Sequence, residues 1–401
     1  MLRLVEYRPA TVQLSTAEAA ELARMTVGTR DGSGRPRLIQ RLTPTARPGF
    51  YDLQPGPYVG RFQLLSGGAV EVTGRFPFQD LATLLGLGRD AALLDEATAP
   101  GSGGHSLVDL IALAFVREAE RISGQGLAKA YERRAFTRSP YPGVPSVTLH
   151  LKAHAGRPDR LATHANRLTS DIPLNRLLAT AYRRLIGLPY PDARLRTRVR
   201  ALDPIFHGIT PLTGRPAGSA SVPARYLQIE RLARLLLDDR STLPTGAGVS
   251  GVSVMFDMTR IWEDYVGRWL RHRSPGMSVT AQQPIALTDT GPKRTGKADF
   301  VLYRGGEASA VYDAKYRPWQ ATPATDEIYQ LFTYAQRLGV EKAALVYPAP
   351  ESRRTTTTVG PVTIESWAVP IEDLDLAAPT RGGRTPTVRH HDHRFHNGHS
   401  T

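Results

Sequence analysis

Asp299, Asp313 and Lys315 are the residues of this sequence whose types and spacing could carry chemistry. Asp313 and Lys315 stand two apart in the run Ala308 to Tyr316, and side chains two apart on a strand project from one face. Asp299 opens a second apolar run, Phe300-Val301-Leu302-Tyr303, and Arg304-Gly305-Gly306-Glu307 between the two reads as a turn. Such a hairpin sets Asp299, near the start of one strand, across from Asp313, near the end of the antiparallel one. Two close carboxylates repel and raise each other's pKa unless a cation lies between them. Mg²⁺, with Mn²⁺ as a substitute, meets that demand, since it takes one or two carboxylates together with water and substrate phosphate. The backbone carbonyl of Ala314 could add another oxygen. A metal there would polarise a scissile phosphate and acidify a bound water, while Lys315 would orient or deprotonate that water and offset charge on the phosphate. Hydrolysis of a phosphodiester is the chemistry expected. The pattern D-x-K alone also describes a surface ion pair, but the apolar Val311 and Tyr312 just before it suggest a buried strand ending in charge, which is costly without a role.

Two helices must frame that hairpin. From Phe256 to Arg273 the apolar positions Met258, Ile261, Trp262, Tyr265, Val266, Trp269 and Leu270 recur at helical spacing, with Asp257 placed as N-cap. Glu263 lies off that stripe; it could be a further acidic group near the metal or a solvated residue. Beyond the hairpin, Ile328, Leu331, Phe332 and Ala335 form the buried stripe of a second helix, while Gln330 and Tyr334, four apart, share a different face.

The rest of the chain is long enough, at 401 residues, for two or three domains. Ser15-Thr16-Ala17-Glu18 has capping-box spacing and starts a helix to about Met25. Short β-type runs follow between Arg37 and Phe78, with Ser66-Gly67-Gly68 as a hairpin turn, and then helical patterns over Phe78 to Leu87 and Leu107 to Arg121. Ala99 to Gly104 and Arg240 to Gly251 read as connections. Val144 to Leu151 alternates as a strand would, and Pro173 and Pro223 each open a helix. The expected class is mixed α+β: a β-rich N-terminal domain over residues 1–130, a strand-plus-helical connecting region over 131–250, an α/β core over 251–378, and a disordered His/Arg-rich tail over 379–401. That tail holds His390, His391, His393, His396 and His399.

The chain has no cysteine, which excludes disulfides, thiolate metal sites and a cysteine nucleophile. Its start lacks the apolar core of a signal peptide and no run is long enough to cross a bilayer, so no membrane is expected and a cytoplasmic protein is. The net charge of +14 comes largely from arginine, whose fork suits phosphate, though solvated arginine-rich faces would give the same figure.

The order helix, hairpin with D…DxK and helix with Q-x-x-x-Y resembles the PD-(D/E)xK (restriction-endonuclease-like) nuclease superfamily, above all its branch with a RecB-like nuclease domain. Gln330 and Tyr334 match that branch's extra motif, which by the resemblance would hold substrate phosphate or the active-site lysine; taken alone they are equally polar positions on a solvated helix. Ala298 stands where the superfamily commonly has proline. The chain is similar above all to the McrC family, nuclease subunits of McrBC-type modification-dependent restriction systems. Phe256-Asp257-Met258 with Trp262-Glu263, Asp171-Ile172-Pro173-Leu174-Asn175-Arg176, Tyr58-Val59-Gly60 and Tyr329 to Ala335 carry that likeness, in their order and spacing. It implies an Mg²⁺-dependent endonuclease acting on modified double-stranded DNA together with a hexameric AAA+ GTPase, McrB. The N-terminal region would insert into that ring and stimulate GTP hydrolysis. The chain itself has no G-x-x-x-x-G-K-[S/T] loop, so a partner must supply the nucleotide site. Two other functions compete: a non-cleaving regulatory subunit of an AAA+ ring, against which the intact charged trio speaks, and a stand-alone RecB-like repair nuclease, for which some 250 residues ahead of the core have no purpose.

Overall fold

The computed structural model describes residues 1–26, 38–88, 90–98, 106–157, 159–213, 222–237, 253–372 and 374; the expected connections at 99–104 and 240–251 and the tail at 379–401 fall outside them. The architecture is mixed α and β, with four sheets among the described residues.

The N-terminal part contains β1 (Leu2–Val5), β2 (Ala10–Gln13), α1 (Thr16–Thr26), β3 (Ile39–Pro44), β4 (Phe50–Pro55), β5 (Tyr58–Gln63) and β6 (Ala69–Thr73). The expected capping box forms: the Glu18 carboxylate accepts from the Ser15 amide at 2.9 Å and the Ser15 hydroxyl accepts from the Glu18 amide at 3.3 Å. Ser66-Gly67-Gly68 is the turn between β5 and β6, with Gly67 at φ 90°, a conformation glycine adopts freely. The helices α2 (Phe78–Leu84), α3 (Ala91–Thr98) and α4 (Leu107–Gly124) follow, and α4 is apolar nearly all round because it runs through the largest core cluster.

Next comes a small three-stranded sheet of β7 (Ala130–Phe136), β8 (Val144–Pro145) and β9 (Thr163–Thr169), in the order β7-β9-β8. Here the expected strand over Val144 to Leu151 is corrected. Only its first two residues are extended, and Val147 to His154 form α5, started by the Ser146 hydroxyl accepting from the Leu149 amide at 3.4 Å. The alternation was misleading because Val147 and Leu151, four apart, lie on one exposed helical face.

The helices α6 (Pro173–Ile186), α7 (Ala193–Arg200), α8 (Asp203–Phe206) and α9 (Leu227–Leu237) complete the middle of the chain. Pro173 opens α6 as expected, whereas Pro223 precedes a short 3-10 turn, Ala224–Tyr226, ahead of α9. Two elements then return to the N-terminal part. β10 (Val254–Asp257) pairs antiparallel with β5, so the sheet ordered β1-β6-β5-β10 joins strands almost 200 residues apart, and α10 (Met258–Arg273) leaves directly from it.

The last region is one six-stranded sheet, ordered β11-β12-β13-β14-β16-β15, made from β11 (Ser278–Ala286), β12 (Thr295–Arg304), β13 (Glu307–Ala314), β14 (Lys342–Pro348), β15 (Arg353–Val359) and β16 (Val362–Val369). β12 and β13 are the expected antiparallel hairpin; β13, β14 and β16 are parallel, with α11 (Thr325–Leu338) as the crossover between β13 and β14. The two helices cover opposite faces. Phe300 and Leu302 share a cluster with Trp262 and Trp269 of α10, whereas Val301 and Val311 share one with Leu331 and Ala335 of α11. No described helix is long and apolar enough to cross a membrane.

Arg61 of β5 fastens the N-terminal sheet to the helices. Fully buried, it donates from Nε to Glu71 at 2.7 Å, from its two terminal nitrogens to both oxygens of Asp109 at 2.7 and 2.6 Å, and to the Pro189 carbonyl at 3.3 Å. Removing one member of such a buried group leaves uncompensated charge at a cost of several kcal/mol. Arg61→Ala is therefore expected to destabilise the chain by about 3–5 kcal/mol, read as a lower urea midpoint at unchanged slope. A loss within experimental error would show that Glu71 and Asp109 do not depend on it.

Candidate active site

Asp299, Asp313 and Lys315 converge where the β12–β13 ladder ends. The last paired residues at that end are Phe300 and Tyr312, and one step beyond them the Asp299 Oδ2 accepts the Ala314 amide at 2.9 Å, closing with a side chain what the backbone leaves open. Asp313 is buried, 4% exposed, on the face that also carries Val311. The Lys315 ammonium lies 2.6 Å from its Oδ2. On the opposite side of the strand, the Lys315 amide donates to the Val346 carbonyl at 2.9 Å, and the same oxygen takes the Trp262 indole of α10 at 3.0 Å. The parallel sheet and the preceding helix thus fix the backbone of Lys315 from one atom.

The electrostatics follow from burial. Burial, with the Asp313 charge second, pushes Asp299 up to about 7, against the pull of the Ala314 amide and Lys315. Burial opposes the charge on Lys315, but Asp313, Glu327 and Asp299 outweigh it and hold the ammonium above its ordinary range. Glu263 belongs to this neighbourhood: burial first, and the Asp299 charge second, push it up to about 8. Glu263 is half-buried and shares the Gln282 amide with Asp299.

Two residues here were not singled out by sequence. Gln282 of β11 donates to Asp299 Oδ1 at 3.3 Å and to Glu263 Oε2 at 3.4 Å, bridging the carboxylates. Its backbone is left-handed, φ 55°, and the β11–β12 pairing skips it between Ala281 and Gln283. A non-glycine residue held there costs on the order of 1–3 kcal/mol, and such strain persists where its surroundings enforce it. Nothing in the local sequence announces it. Glu327 is the second, buried on α11 at 3.9 Å from the Lys315 ammonium and 2.6 Å from Arg317. Its signal was present: it is the third residue of the helix and reaches back to the Ala324 amide at 3.1 Å, half of a capping box.

Gln330 and Tyr334 meet each other, Nε2 to hydroxyl at 3.2 Å, and the Tyr334 hydroxyl also accepts the Lys297 amide at the start of β12, at 3.1 Å. Neither hydrogen-bonds to Lys315, whose charged partners are Asp313 and Glu327. The expected separation of Tyr334 from the buried stripe is corrected: its ring is buried with Leu331 and Ala335, three behind and one ahead, because a tyrosine can bury an apolar body while its hydroxyl finds a partner. Ile328 and Phe332 are only partly buried.

Among the described residues no three His, Asp or Glu side chains form a closed metal cage. Asp299 and Asp313 could hold a cation together with a carbonyl. Because the Lys315 amide faces β14, alternation turns the amide and carbonyl of Ala314 to the β12 side, where Asp299 lies.

No curated protein matches the chain. Among solved structures it is similar to a chain of the half-complex of Thermococcus gammatolerans McrB AAA+ hexamers with bound McrC, at TM-score 0.58 and 16% identity over 92% of this chain and 94% of that one. A chain of the Thermococcus gammatolerans McrBC complex is more distant, at TM-score 0.42 and 13% identity over 68% of this chain and 88% of that one. The first is a likeness of fold. The model of one protein family, the McrBC 5-methylcytosine restriction system component, matches residues 53–348, most of the chain, and the chain belongs to that family.

Proposed function

We propose that this chain is the DNA-cleaving, McrC-like subunit of a restriction system, with a PD-(D/E)xK centre formed by Asp299, Asp313 and Lys315 and with Mg²⁺ as its cofactor. The observation that carries the reading is the meeting of the buried Asp313 carboxylate, the half-buried Asp299 carboxylate and an ammonium at the open end of the β12–β13 ladder. The donor set fits a hard divalent cation. Asp299 is raised to about 7 by burial and by the Asp313 charge, although the Ala314 amide and Lys315 oppose that rise, so a cation beside the pair would favour its doubly ionised form. Two carboxylates and the Ala314 carbonyl leave the rest of an octahedral shell to water and phosphate, as Mg²⁺ prefers.

When bound, the cation supplies charge to the scissile phosphate and acidifies water. The remaining work belongs to the chain. Lys315, held by Asp313 and Glu327, presents its ammonium where charge develops on the phosphate. Gln282 orients Asp299 and keeps Glu263 beside it. Gln330 and Tyr334 set the start of β12, and therefore Asp299, through the Lys297 amide.

The partner in this reading is a separate McrB-like AAA+ GTPase ring that recognises modified double-stranded DNA; the similar solved structure holds McrC bound to McrB AAA+ hexamers. Docking is expected from residues 1–130, whose strands are also tied to the rest of the chain through β10 and Arg61. The β7–β9 sheet with α5, which starts where that region ends, offers a further surface for it. Tyr131, Val144, Val147, Leu151 and Leu168 are each 51–74% exposed there, an apolar concentration that a monomer does not need.

Asp313→Ala or Lys315→Ala is expected to lower Mg²⁺-dependent DNA cleavage by about 10²-fold or more while sparing stimulation of the partner's nucleotide hydrolysis. Cleavage at the wild-type rate in either variant would place the centre elsewhere. Gln282→Gly should separate strain from function, keeping or slightly raising the melting temperature while cleavage drops about ten-fold, since glycine adopts φ 55° without cost. Full activity in that variant would remove Gln282 from the site. Ala130 and Thr169 are cross-strand partners, so residues 131–168 can be replaced by a short turn. That deletion should leave a folded chain that no longer co-purifies with the ring; retained co-purification would refute the docking surface.

A further inference from the structure

A cavity of about 500 Å³ opens between the N-terminal residues and the stretch that follows Lys315. Three aromatic residues, Tyr7, Phe76 and Trp319, line it together with Pro318, Pro348 and Pro350. The Arg75 guanidinium lies over the rings of Tyr7, Phe76 and Tyr316 at 5.3, 4.9 and 4.8 Å, and that of Arg353 over Trp319 at 5.9 Å. Tyr7 is held at φ 60°, an uncommon conformation for an aromatic residue, with its hydroxyl donating to the Tyr316 carbonyl at 3.1 Å.

The polar groups are incompletely paired. Glu6, fully buried, uses Oε1 twice, accepting from the Tyr316 hydroxyl at 2.6 Å and the Arg75 amide at 3.0 Å, while its Oε2 has no hydrogen-bond partner. Arg75 has two buried nitrogens, Nε and Nη2, in the same condition. Glu6 and Arg75 both line the cavity, and although their opposite charges lie close, one acceptor and two donors buried beside it go without a hydrogen bond, which is uncommon because each forfeits the hydration it had in the unfolded chain. A flat group with hydrogen-bonding edges would answer both the rings and the unpaired atoms. A nucleobase has that shape, with donors and acceptors side by side on its edge, and arginine and glutamate are common readers of such edges. At the mouth, the Arg353 side chain is 59% exposed and can reach a phosphate, although Glu351 pairs with it at 3.0 Å.

We propose that this cavity is a receptor for one nucleotide unit, with the base against Trp319, Tyr7 and Phe76, its edge on Glu6 and Arg75, and its phosphate on Arg353. The unit comes either from a single-stranded segment of nucleic acid or from a free nucleotide. The claim concerns binding alone and stands or falls apart from the cleavage reading.

The test uses the full chain without divalent cation, so that no strand is cut. Tryptophan fluorescence and calorimetry follow titration with the four deoxynucleoside monophosphates, a single-stranded pentanucleotide, and ribose 5-phosphate as a probe lacking a base. Saturable quenching by a mononucleotide or the pentanucleotide is expected, lost in Trp319→Phe, with affinity weakened about ten-fold or more in Arg75→Lys and Arg353→Ala, the scale of one stacking or charge-assisted contact. Binding of the pentanucleotide only assigns the unit to a strand; binding of mononucleotides assigns it to a free ligand. Unchanged melting temperatures exclude misfolding, and Arg353, being exposed, provides a variant that should fold in any case. No binding at millimolar concentration overturns the proposal. So does ribose 5-phosphate binding as tightly as the nucleotides, or affinity unchanged in both arginine variants.

Discussion

The Asp299 carboxylate, accepting the Ala314 amide at 2.9 Å while facing Asp313, is the interaction on which the candidate site depends. It stands where a buried hairpin runs out of backbone pairing, so a side chain completes the ladder and brings two acids together. Everything around it answers the resulting excess of negative charge. Lys315 approaches Asp313, Glu327 and Arg317 extend the alternation of signs, and Gln282 gives Asp299 and Glu263 a neutral donor. The site is therefore a chain of partial compensations, and the divalent cation we propose there would add to them.

The parts legible in sequence were those with a local cause. Two residues of spacing put Asp313 and Lys315 on one face; Asp257 caps α10 because its carboxylate reaches the Thr259 amide at 3.0 Å; the apolar stripe of α10 is buried as its period requires. What stayed hidden depends on partners distant in the chain. Gln282 reads as an ordinary strand residue, and only its position opposite Asp299 gives its left-handed backbone a purpose. Tyr334 reads as polar by type, yet the Lys297 amide lets its ring enter the core. Val147 and Leu151 fit a strand and a helix equally by pattern, and the Ser146 cap decided between them.

The expected boundary near residue 250 also gains a physical qualification. The Met258 amide bonds the Pro57 carbonyl, β10 pairs with β5, and the Tyr316 hydroxyl, one residue past Lys315, donates to Glu6 at 2.6 Å. The first residues of the chain thus touch the strand end that carries the candidate lysine.

Net charge was the least informative feature, and the structure shows why. A good part of the arginine is engaged within the protein. Arg61 is buried between Glu71 and Asp109, Arg176 pairs with Asp171, and Arg337 with Asp289. Arg231 and Arg268 donate to the Leu85 and Leu84 carbonyls at the end of α2, where the helix dipole is negative and cations are favoured. Arg268 is pushed down to about 10, by burial first and by neighbouring Arg231 second. Such residues raise the formal charge without being free for a phosphate backbone. The local imbalance at the end of one hairpin says more about chemistry than the sum over the whole chain, because a buried charge must find a partner while an exposed one is solvated by water.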